Sequence, residues 1–199
     1  MGTDLLGVQQ PGGWVRVGLD AGPRMRDAEL DVWKKWSVSF HGVKSVPVLK
    51  SILRHGGLMK PGDQLLDGSI LGSAKCAGRQ DKVFYTAPTI KYAGLRFYAE
   101  PQSWRDGAMR ASIAVQCRQM PGTFTSQGET MGFTRKMPGH LATNCPHVDL
   151  GRIEWTSKQK EGAIPYGVLV RIWPVGKDPN YEAYSSPVDG AGARGGRCM

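Results

Sequence analysis

The stretch FHGVKSVPVLKSILRHGGL, residues 40–58, contains the best-defined helix that the sequence predicts. Ser45 is suited to be its N-cap, and Pro47 lies in the first turn, where a missing N–H costs nothing. Gly56 and Gly57 indicate where the helix ends. Apolar residues at helical spacing predict its buried face: Val48, Leu49, Ile52 and Leu53. This stretch therefore predicts a β-like segment that leads into an amphipathic helix.

Several segments before and after this helix predict strands, because their residues alternate between apolar and polar or form a continuous apolar run. These segments are residues 14–19, 37–42, 83–85, 111–118, 153–155 and 166–173. Short helices are predicted at residues 28–36 and 90–98. The pattern indicates an α+β protein with more strand than helix.

The chain has 199 residues, of which 40% are hydrophobic and 22% are charged. This composition is sufficient for a buried hydrophobic core. We expect one domain over residues 14–184, an irregular lead-in over 1–13 and a disordered tail over 185–199. No apolar run approaches the ~20 residues of a membrane span, and the N-terminus lacks the features of a secretory signal. The expectation is an intracellular monomer without a membrane partner.

Common metal and enzyme signatures are absent from the sequence. The four cysteines contain no CxxC pair, and the C-x-H of Cys145 and His147 offers too few ligands for a structural zinc site. We therefore expect no metal. No G-x-G-x-x-G, Walker A or G-x-S-x-G motif is present either, which argues against Rossmann dehydrogenases, P-loop enzymes and α/β-hydrolases.

Positive charge is concentrated in part of the sequence. Lys and Arg total 26 against 17 Asp and Glu, for a formal net charge of +9. No acidic residue occurs between Asp31 and Asp63, while this interval holds six basic ones: Lys34, Lys35, Lys44, Lys50, Arg54 and Lys60. Such a surface attracts polyanions, although it also serves solubility alone. Nucleic acid is therefore a possible partner.

Three segments in order, residues 40–58, 83–98 and 152–173, together carry a resemblance to a known family. The first has His41-Gly42 before its helix, the second has Tyr85, and the third has Glu154. The arrangement resembles the ADP-ribosyltransferase fold, in particular its diphtheria-toxin and poly(ADP-ribose) polymerase branch. The resemblance implies split antiparallel β-sheets with a few short helices. It also implies NAD+ as co-substrate, release of nicotinamide, and no need for a metal.

The resemblance assigns roles to the matched residues. Glu154 would hold a ribose hydroxyl and stabilise the oxocarbenium character that develops when nicotinamide leaves. Tyr85 would stack on the cationic nicotinamide ring. His41 would hydrogen-bond the ribose of the adenosine half, and Gly42 would let the backbone approach the nicotinamide amide. Structural roles remain open for two of them, since His41 could cap a strand end and Tyr85 could be a core aromatic.

Two further residues of the second segment are assigned to the cofactor pocket. Tyr92 would form the opposite wall of the nicotinamide slot, and Thr86 follows directly after Tyr85. Both are predicted to contact NAD+.

Glu129 is an alternative catalytic acid. It lies in TSQGE, residues 125–129, whose Q-x-E resembles the turn of arginine- and guanine-modifying ADP-ribosyltransferases. Glu154 is preferred because the predicted last strand begins at Tyr166, twelve residues later, whereas Glu129 is 37 residues away. At Glu154 the position of the glutamine is taken by Arg152. Both carboxylates stay open as candidates.

The acceptor is predicted from size and charge. A small, basic chain is similar in character to the DNA-guanine ADP-ribosyltransferases of shellfish and butterflies, which implies mono-transfer to DNA. The candidate nucleic-acid contacts are Lys44, Lys50, Arg54, Arg152 and Trp155, and Trp104 or Phe133 could also stack on a base. The alternatives are an RNA 2′-phosphotransferase, a protein ADP-ribosyltransferase and a non-catalytic nucleic-acid-binding module on the same fold.

Overall fold

A computed structural model describes residues 13–72, 82–130 and 149–177, and the statements below concern these residues. The predicted tail over 185–199 and the lead-in up to residue 12 lie outside them. Other residues discussed above that also lie outside are Cys76, Phe133, Cys145, His147 and Cys198.

The larger sheet has five antiparallel strands. They are β1 (Val15–Gly18), β2 (Ser37–Val43), β4 (Gln102–Trp104), β5 (Met109–Gln119) and β8 (Ala163–Pro174). The order is β1-β8-β5-β2, and β4 pairs with one part of β5. The long strands β5 and β8 form its centre, and β2 is an edge strand of this order.

The smaller sheet has three antiparallel strands in the order β3-β7-β6. They are β3 (Phe84–Thr86), β6 (Thr125–Gln127) and β7 (Glu154–Ser157). An isolated bridge joins the two sheets where Phe40 on β2 exchanges two 2.8 Å backbone hydrogen bonds with Ala87, just after β3. The edges of the two sheets therefore meet at β2 and β3.

The three α-helices are short: α1 (Val32–Lys35), α2 (Val46–His55) and α3 (Ile90–Ala93). The bounds of α2 agree with the prediction, and the extended Ser45 precedes it, although the Ser45 side chain makes no capping hydrogen bond. Gly56 ends α2 in the left-handed region at φ 65°, a conformation that glycine adopts without strain. One residue of the predicted buried face is misassigned, because Leu53 is 44% exposed.

The other two predicted helices are much shorter in the structure than the sequence suggests. The helix over 28–36 is reduced to α1 because Asp31 takes left-handed backbone angles, which an α-helix cannot include. The helix over 90–98 ends at Gly94, where a Cβ atom would collide with the Trp14 ring and the Ile90 carbonyl. The last strand, β8, begins earlier than predicted, at Ala163 instead of Tyr166. The end of α3 thus coincides with close packing against Trp14, which the local sequence pattern does not contain.

Both faces of the larger sheet are covered by apolar packing. On one face, Ile52 of α2 belongs to a cluster with Val115 and Phe84. On the other, Ile90 of α3 belongs to a cluster with Trp14 and Ala114. Side chains of successive β5 residues point to opposite faces, which is why neighbouring residues enter different clusters. Burial of each large apolar side chain contributes about 1.5–3 kcal/mol.

The fold is thus α+β, mostly antiparallel sheet with a few short helices, as predicted. Within the described ranges, no helix combines the length and the apolar character needed to cross a membrane. Cys117 is buried in the core, and burial raises the pKa of its thiol, as expected for a structural cysteine.

Candidate active site

A cleft opens where the edges of the two sheets meet. It encloses about 890 Å³, including its open mouth, between β2, β3 and the segment that follows α3. Six residues assigned above to NAD+ binding or catalysis line it: His41, Gly42, Tyr85, Thr86, Tyr92 and Glu154. These residues come from three segments that are distant in sequence, and the fold brings them to one place.

Glu154, the first residue of β7, is a buried carboxylate with 1% of its surface exposed. Its Oε1 accepts hydrogen bonds from the hydroxyls of Tyr92 at 2.9 Å and Tyr98 at 3.0 Å. Its Oε2 accepts from Gln127 Nε2 at 3.2 Å and Thr130 Oγ1 at 2.9 Å. A carboxylate removed from water needs such donors, and their number fixes its orientation in the cleft.

Tyr92 and Tyr98 form a pair of donors on the cleft side of Glu154. Their hydroxyl oxygens lie 2.6 Å apart, and their rings pack with centroids 5.1 Å apart. Burial raises the pKa of both phenols, and the negative charge of Glu154 adds to the shift. Both therefore remain protonated near neutral pH and can donate hydrogen bonds to the carboxylate.

The Q-x-E segment does not replace Glu154 but lies next to it. Gln127 on β6 is the register partner of Glu154 on β7, which explains its hydrogen bond to the carboxylate. Glu129 is half-buried and close enough for its charge to raise the pKa of the Tyr98 hydroxyl. The two candidate carboxylates thus belong to one neighbourhood, but it is Glu154 that lines the cleft.

His41 and Tyr85 are joined across the two sheets. The imidazole Nδ1 of His41 lies 2.7 Å from the backbone oxygen of Tyr85. A carbonyl oxygen only accepts, so Nδ1 carries the proton and Nε2 is left as the acceptor of the neutral ring. Burial lowers the pKa of His41, although the bond to Tyr85 acts in the opposite direction. The ring is therefore held neutral and in one orientation.

Gly42 has a structural reason to be glycine. A Cβ atom at this position would collide with the Ala93 carbonyl and would lie 2.7 Å from Tyr98 Cβ. The missing side chain thus lets β2 pack against the turn that carries Tyr98. The sequence-based role, close approach of a ligand to the backbone, stays a prediction.

Thr86 and Lys44 also line the cleft. The buried Thr86 hydroxyl of β3 donates a hydrogen bond to Gln119 Oε1 of β5 at 2.7 Å. This proton therefore bonds between the two sheets and not to a ligand. Lys44 Nζ lies 5.0 Å from the centre of the Phe97 ring. Lys44, predicted to contact nucleic acid, thus lies at the wall of the cleft.

The other predicted nucleic-acid contacts lie outside the cleft lining. Lys50 and Arg54 are exposed on α2, one helical turn apart, and Arg152 is exposed beside β7. The Trp155 ring stacks on Phe124 with centroids 4.3 Å apart. Because side chains alternate along a strand, Trp155 points to the face of β7 opposite Glu154.

Three residues near Glu154 were missed by the sequence analysis: Tyr98, Gln127 and Thr130. Tyr98 was expected at the end of a helix, and Gln127 was considered only with Glu129. Among the described residues, no three His, Cys, Asp or Glu side chains are grouped as metal ligands. No protein-family model matches the chain.

The arrangement has a definite chemical capacity. The walls of the cleft are mainly aromatic and apolar, and the buried Glu154 carboxylate is one of its lining groups. Such a site can bind a flat cationic ring and stabilise positive charge that develops on an adjacent atom.

Proposed function

We propose that the protein is an NAD+-dependent mono-ADP-ribosyltransferase that modifies a nucleic acid, with guanine bases in DNA as the favoured acceptor. The observation that carries the proposal is the convergence of His41, Tyr85 and Glu154 on one cleft. Each was assigned to NAD+ from a different segment of the sequence, and these assignments do not require the three residues to be close together in the fold. Two antiparallel sheets that meet at the cleft also support the ADP-ribosyltransferase fold.

The chemistry follows from the electrostatics of the slot. In the first step the bond between ribose C1′ and the nicotinamide nitrogen breaks, and its electron pair stays with nicotinamide. The ribose gains oxocarbenium character, which the buried Glu154 carboxylate stabilises at short range in a site with little water. The acceptor amine then donates its electron pair to C1′ and releases a proton to solvent. Atoms and charges balance over these two steps without a metal or an oxidant.

The walls of the cleft fit the parts of NAD+. Tyr85 offers an aromatic face to the nicotinamide ring, and His41 Nε2 can accept a hydrogen bond from a ribose hydroxyl. Among the described residues that line the cleft, Lys44 is the one Lys or Arg, so we assign it to the diphosphate of NAD+. The net charge of +9 and the exposed Lys50 and Arg54 support a polyanionic acceptor.

The direct test uses NAD+ labelled in its adenylate half, so that the label follows ADP-ribose. The protein is incubated with this NAD+ and, separately, with single-stranded DNA, RNA and a protein mixture, and the Glu154→Gln variant is the control. We expect label in DNA with the wild type and a strong loss with the variant. Label in protein alone would indicate a protein ADP-ribosyltransferase, and a cyclic phosphate of ADP-ribose would indicate an RNA 2′-phosphotransferase. Nucleic-acid binding without any NAD+ consumption would indicate a non-catalytic module.

A further inference from the structure

A second cleft lies beside β1 and the start of β8 and shares no lining residue with the cleft that contains Glu154. It encloses about 860 Å³, including its open mouth. Its polar and aromatic lining residues are Arg16, Asp20, Arg26, Trp33 and Tyr166. Neither the proposed NAD+ site nor the basic face of α2 uses these residues. We call this the Trp33 cleft.

Trp33 presents an aromatic surface to solvent. The residue is 50% exposed, and its ring meets the Tyr166 ring edge to face, with centroids 5.4 Å apart. It lies on α1 directly after the core residue Val32, and the left-handed Asp31 precedes this helix. A single exposed tryptophan needs no explanation, but its neighbours here are cationic.

Two guanidinium groups surround this aromatic pair. The Arg118 Cζ atom lies 5.1 Å from the Trp33 ring centre and 5.7 Å from that of Tyr166. The Arg16 Cζ atom lies 5.0 Å from the Tyr166 ring centre. Such contacts hold the guanidinium planes against the rings and leave their charge unneutralised. The Trp33 cleft is therefore both aromatic and positively charged.

The two arginines bond to neutral groups. Arg16 donates to the side-chain oxygen of Gln116 at 2.7 Å and to the backbone oxygen of Tyr166 at 3.2 Å. Arg118 donates to the backbone oxygen of Trp36 at 2.9 Å, and its buried Nε has no hydrogen-bond partner. Over the described parts of the chain neither arginine forms an ion pair. Two cations without carboxylate partners favour an anion nearby.

Arg26 adds a charge at the mouth of the Trp33 cleft. It pairs with Asp20 at 3.1 Å, but the Arg26 side chain is 67% exposed and the Asp20 side chain is 79% exposed. Exposed pairs of this kind contribute little, so a phosphate group can compete for the guanidinium.

We propose that the Trp33 cleft binds a nucleotide of single-stranded nucleic acid, with its base against Trp33 and its phosphate near Arg16 and Arg26. Aromatic rings that stack on bases beside arginines that follow the backbone are how proteins hold single strands without reading sequence. This inference rests on the proposed function, since it makes the cleft part of the acceptor site. It selects nucleic acid over protein as the acceptor.

The two clefts are close enough to serve one strand. Gln116, which accepts the Arg16 hydrogen bond, is the register partner of Phe40 on β2, and Phe40 lines the cleft that contains Glu154. The path from Tyr166 on β8, in the Trp33 cleft, to Phe40 on β2 crosses β5, so it spans two neighbouring strand spacings of about 5 Å each. A nucleotide held at Trp33 would anchor the strand while a neighbouring base reaches the ribose of NAD+.

The test measures binding of a fluorescein-labelled, mixed-sequence single-stranded DNA of about 12 nucleotides to the full chain by anisotropy at several salt concentrations. Trp33→Ala should weaken binding about 5- to 150-fold and leave the salt slope unchanged, because stacking carries no charge. Arg26→Gln should lower the slope by about 0.7, as expected for one lost phosphate contact on a single strand.

Trp104→Ala is a matched control, since Trp104, which the sequence suggested as a possible base contact, lies outside the lining of both clefts. Trp104 is 44% exposed and has Arg105 over its ring at 4.7 Å, but it lies on β4 and lines neither cleft. We expect this variant to bind like the wild type. Equal losses in both tryptophan variants, no loss in Trp33→Ala, or no binding by the wild type would overturn the inference. Hydrolysis of NAD+ without DNA is measured in parallel, so failure of the Trp33 cleft is distinguishable from failure of the proposed transferase.

Discussion

His41 Nδ1 and the backbone oxygen of Tyr85 lie 2.7 Å apart, and this hydrogen bond joins the edge strand of one sheet to the first strand of the other. The bond fixes the neutral tautomer of the histidine. It also ties the residue assigned to the adenosine ribose to the residue assigned to nicotinamide. A change of protonation at His41 should therefore affect both stability and NAD+ binding.

The first prediction concerns acid stability. Burial holds the pKa of His41 below its ordinary value of 6.5, so between these two values the unfolded chain binds a proton that the folded chain does not. The stability contribution is complete above about pH 6.5 and is lost as the pH falls below it. Urea unfolding near pH 7.5 and 5.5 should show a smaller loss of unfolding free energy for His41→Gln than for the wild type.

His55 provides the control for this measurement. His55→Gln makes the same substitution at a side chain that lies exposed at the end of α2, outside the lining of the cleft that contains Glu154. An acid loss that is the same in wild type and His41→Gln would show that His41 is not the group responsible.

The second prediction concerns Tyr98. Tyr98→Phe keeps the ring and removes one hydrogen bond to the Glu154 carboxylate. We expect kcat for NAD+ hydrolysis to fall about 10- to 150-fold while KM for NAD+ stays nearly constant, because a hydrogen bond to a charged group contributes about 1.5–3 kcal/mol. Since that bond favours the ionised carboxylate, the loss of rate on acidification should begin at higher pH in the variant.

The control for Tyr98→Phe is a phenylalanine substitution at a tyrosine whose hydroxyl is not assigned to Glu154, such as Tyr85→Phe. An unchanged pH profile in Tyr98→Phe, or a rise in KM without a fall in kcat, would contradict the positioning role of Tyr98.

The third prediction concerns Tyr85 as a stacking residue. Tyr85→Ala should weaken NAD+ binding by about 1–2 kcal/mol through the lost cation–π contact, and Tyr85→Phe should bind almost as the wild type does. Isothermal titration with NAD+ measures both. If the Phe variant binds as weakly as the Ala variant, the hydroxyl carries the effect and the stacking role is wrong.

The fourth prediction concerns the basic face of α2. Reversal of Lys50 and Arg54 to Glu should raise the apparent KM for single-stranded DNA and flatten its salt slope by about 0.7 per lost phosphate contact. Hydrolysis of NAD+ by water should be nearly unaffected. Reversal of Arg105 and Lys177, two exposed cations that flank the paired ends of β5 and β8, changes the net charge equally and is the control. Equal slopes in wild type and the α2 variant would indicate a solvated surface only.

The prediction of the fold succeeded where local pattern and packing agree. The bounds of α2 agreed with the prediction because an early proline, Pro47, and a terminal glycine, Gly56, act within one helical turn, although the Ser45 side chain makes no capping hydrogen bond. The pattern also suggested a helix up to Tyr98. The helix ends instead at Gly94, which packs against Trp14, 80 residues earlier in the chain, and no local pattern contains this contact.

The same distinction applies to the candidate site. The His41, Tyr85 and Glu154 positions could be selected because each lies in a recognisable segment. The partners of Glu154 could not, since Tyr98 reaches it only through the shortened α3, and Gln127 only through the register of β6 with β7. The sequence suggested Glu129 as an alternative to Glu154, whereas the pairing of β6 with β7 places the segment of Glu129 beside Glu154.

The central claim is that Glu154 is the carboxylate that stabilises the transition state at the ribose of NAD+. It is tested most directly by the rate of nicotinamide release from NAD+ in the wild type, Glu154→Gln and Glu129→Gln, with unfolding temperatures to confirm that all three fold. Glu154→Gln should lose about 100-fold or more in kcat at nearly constant KM for NAD+, because the charge acts mainly in the transition state. Glu129→Gln should keep NAD+ hydrolysis. Nicotinamide release that persists in Glu154→Gln and disappears in Glu129→Gln would contradict the account.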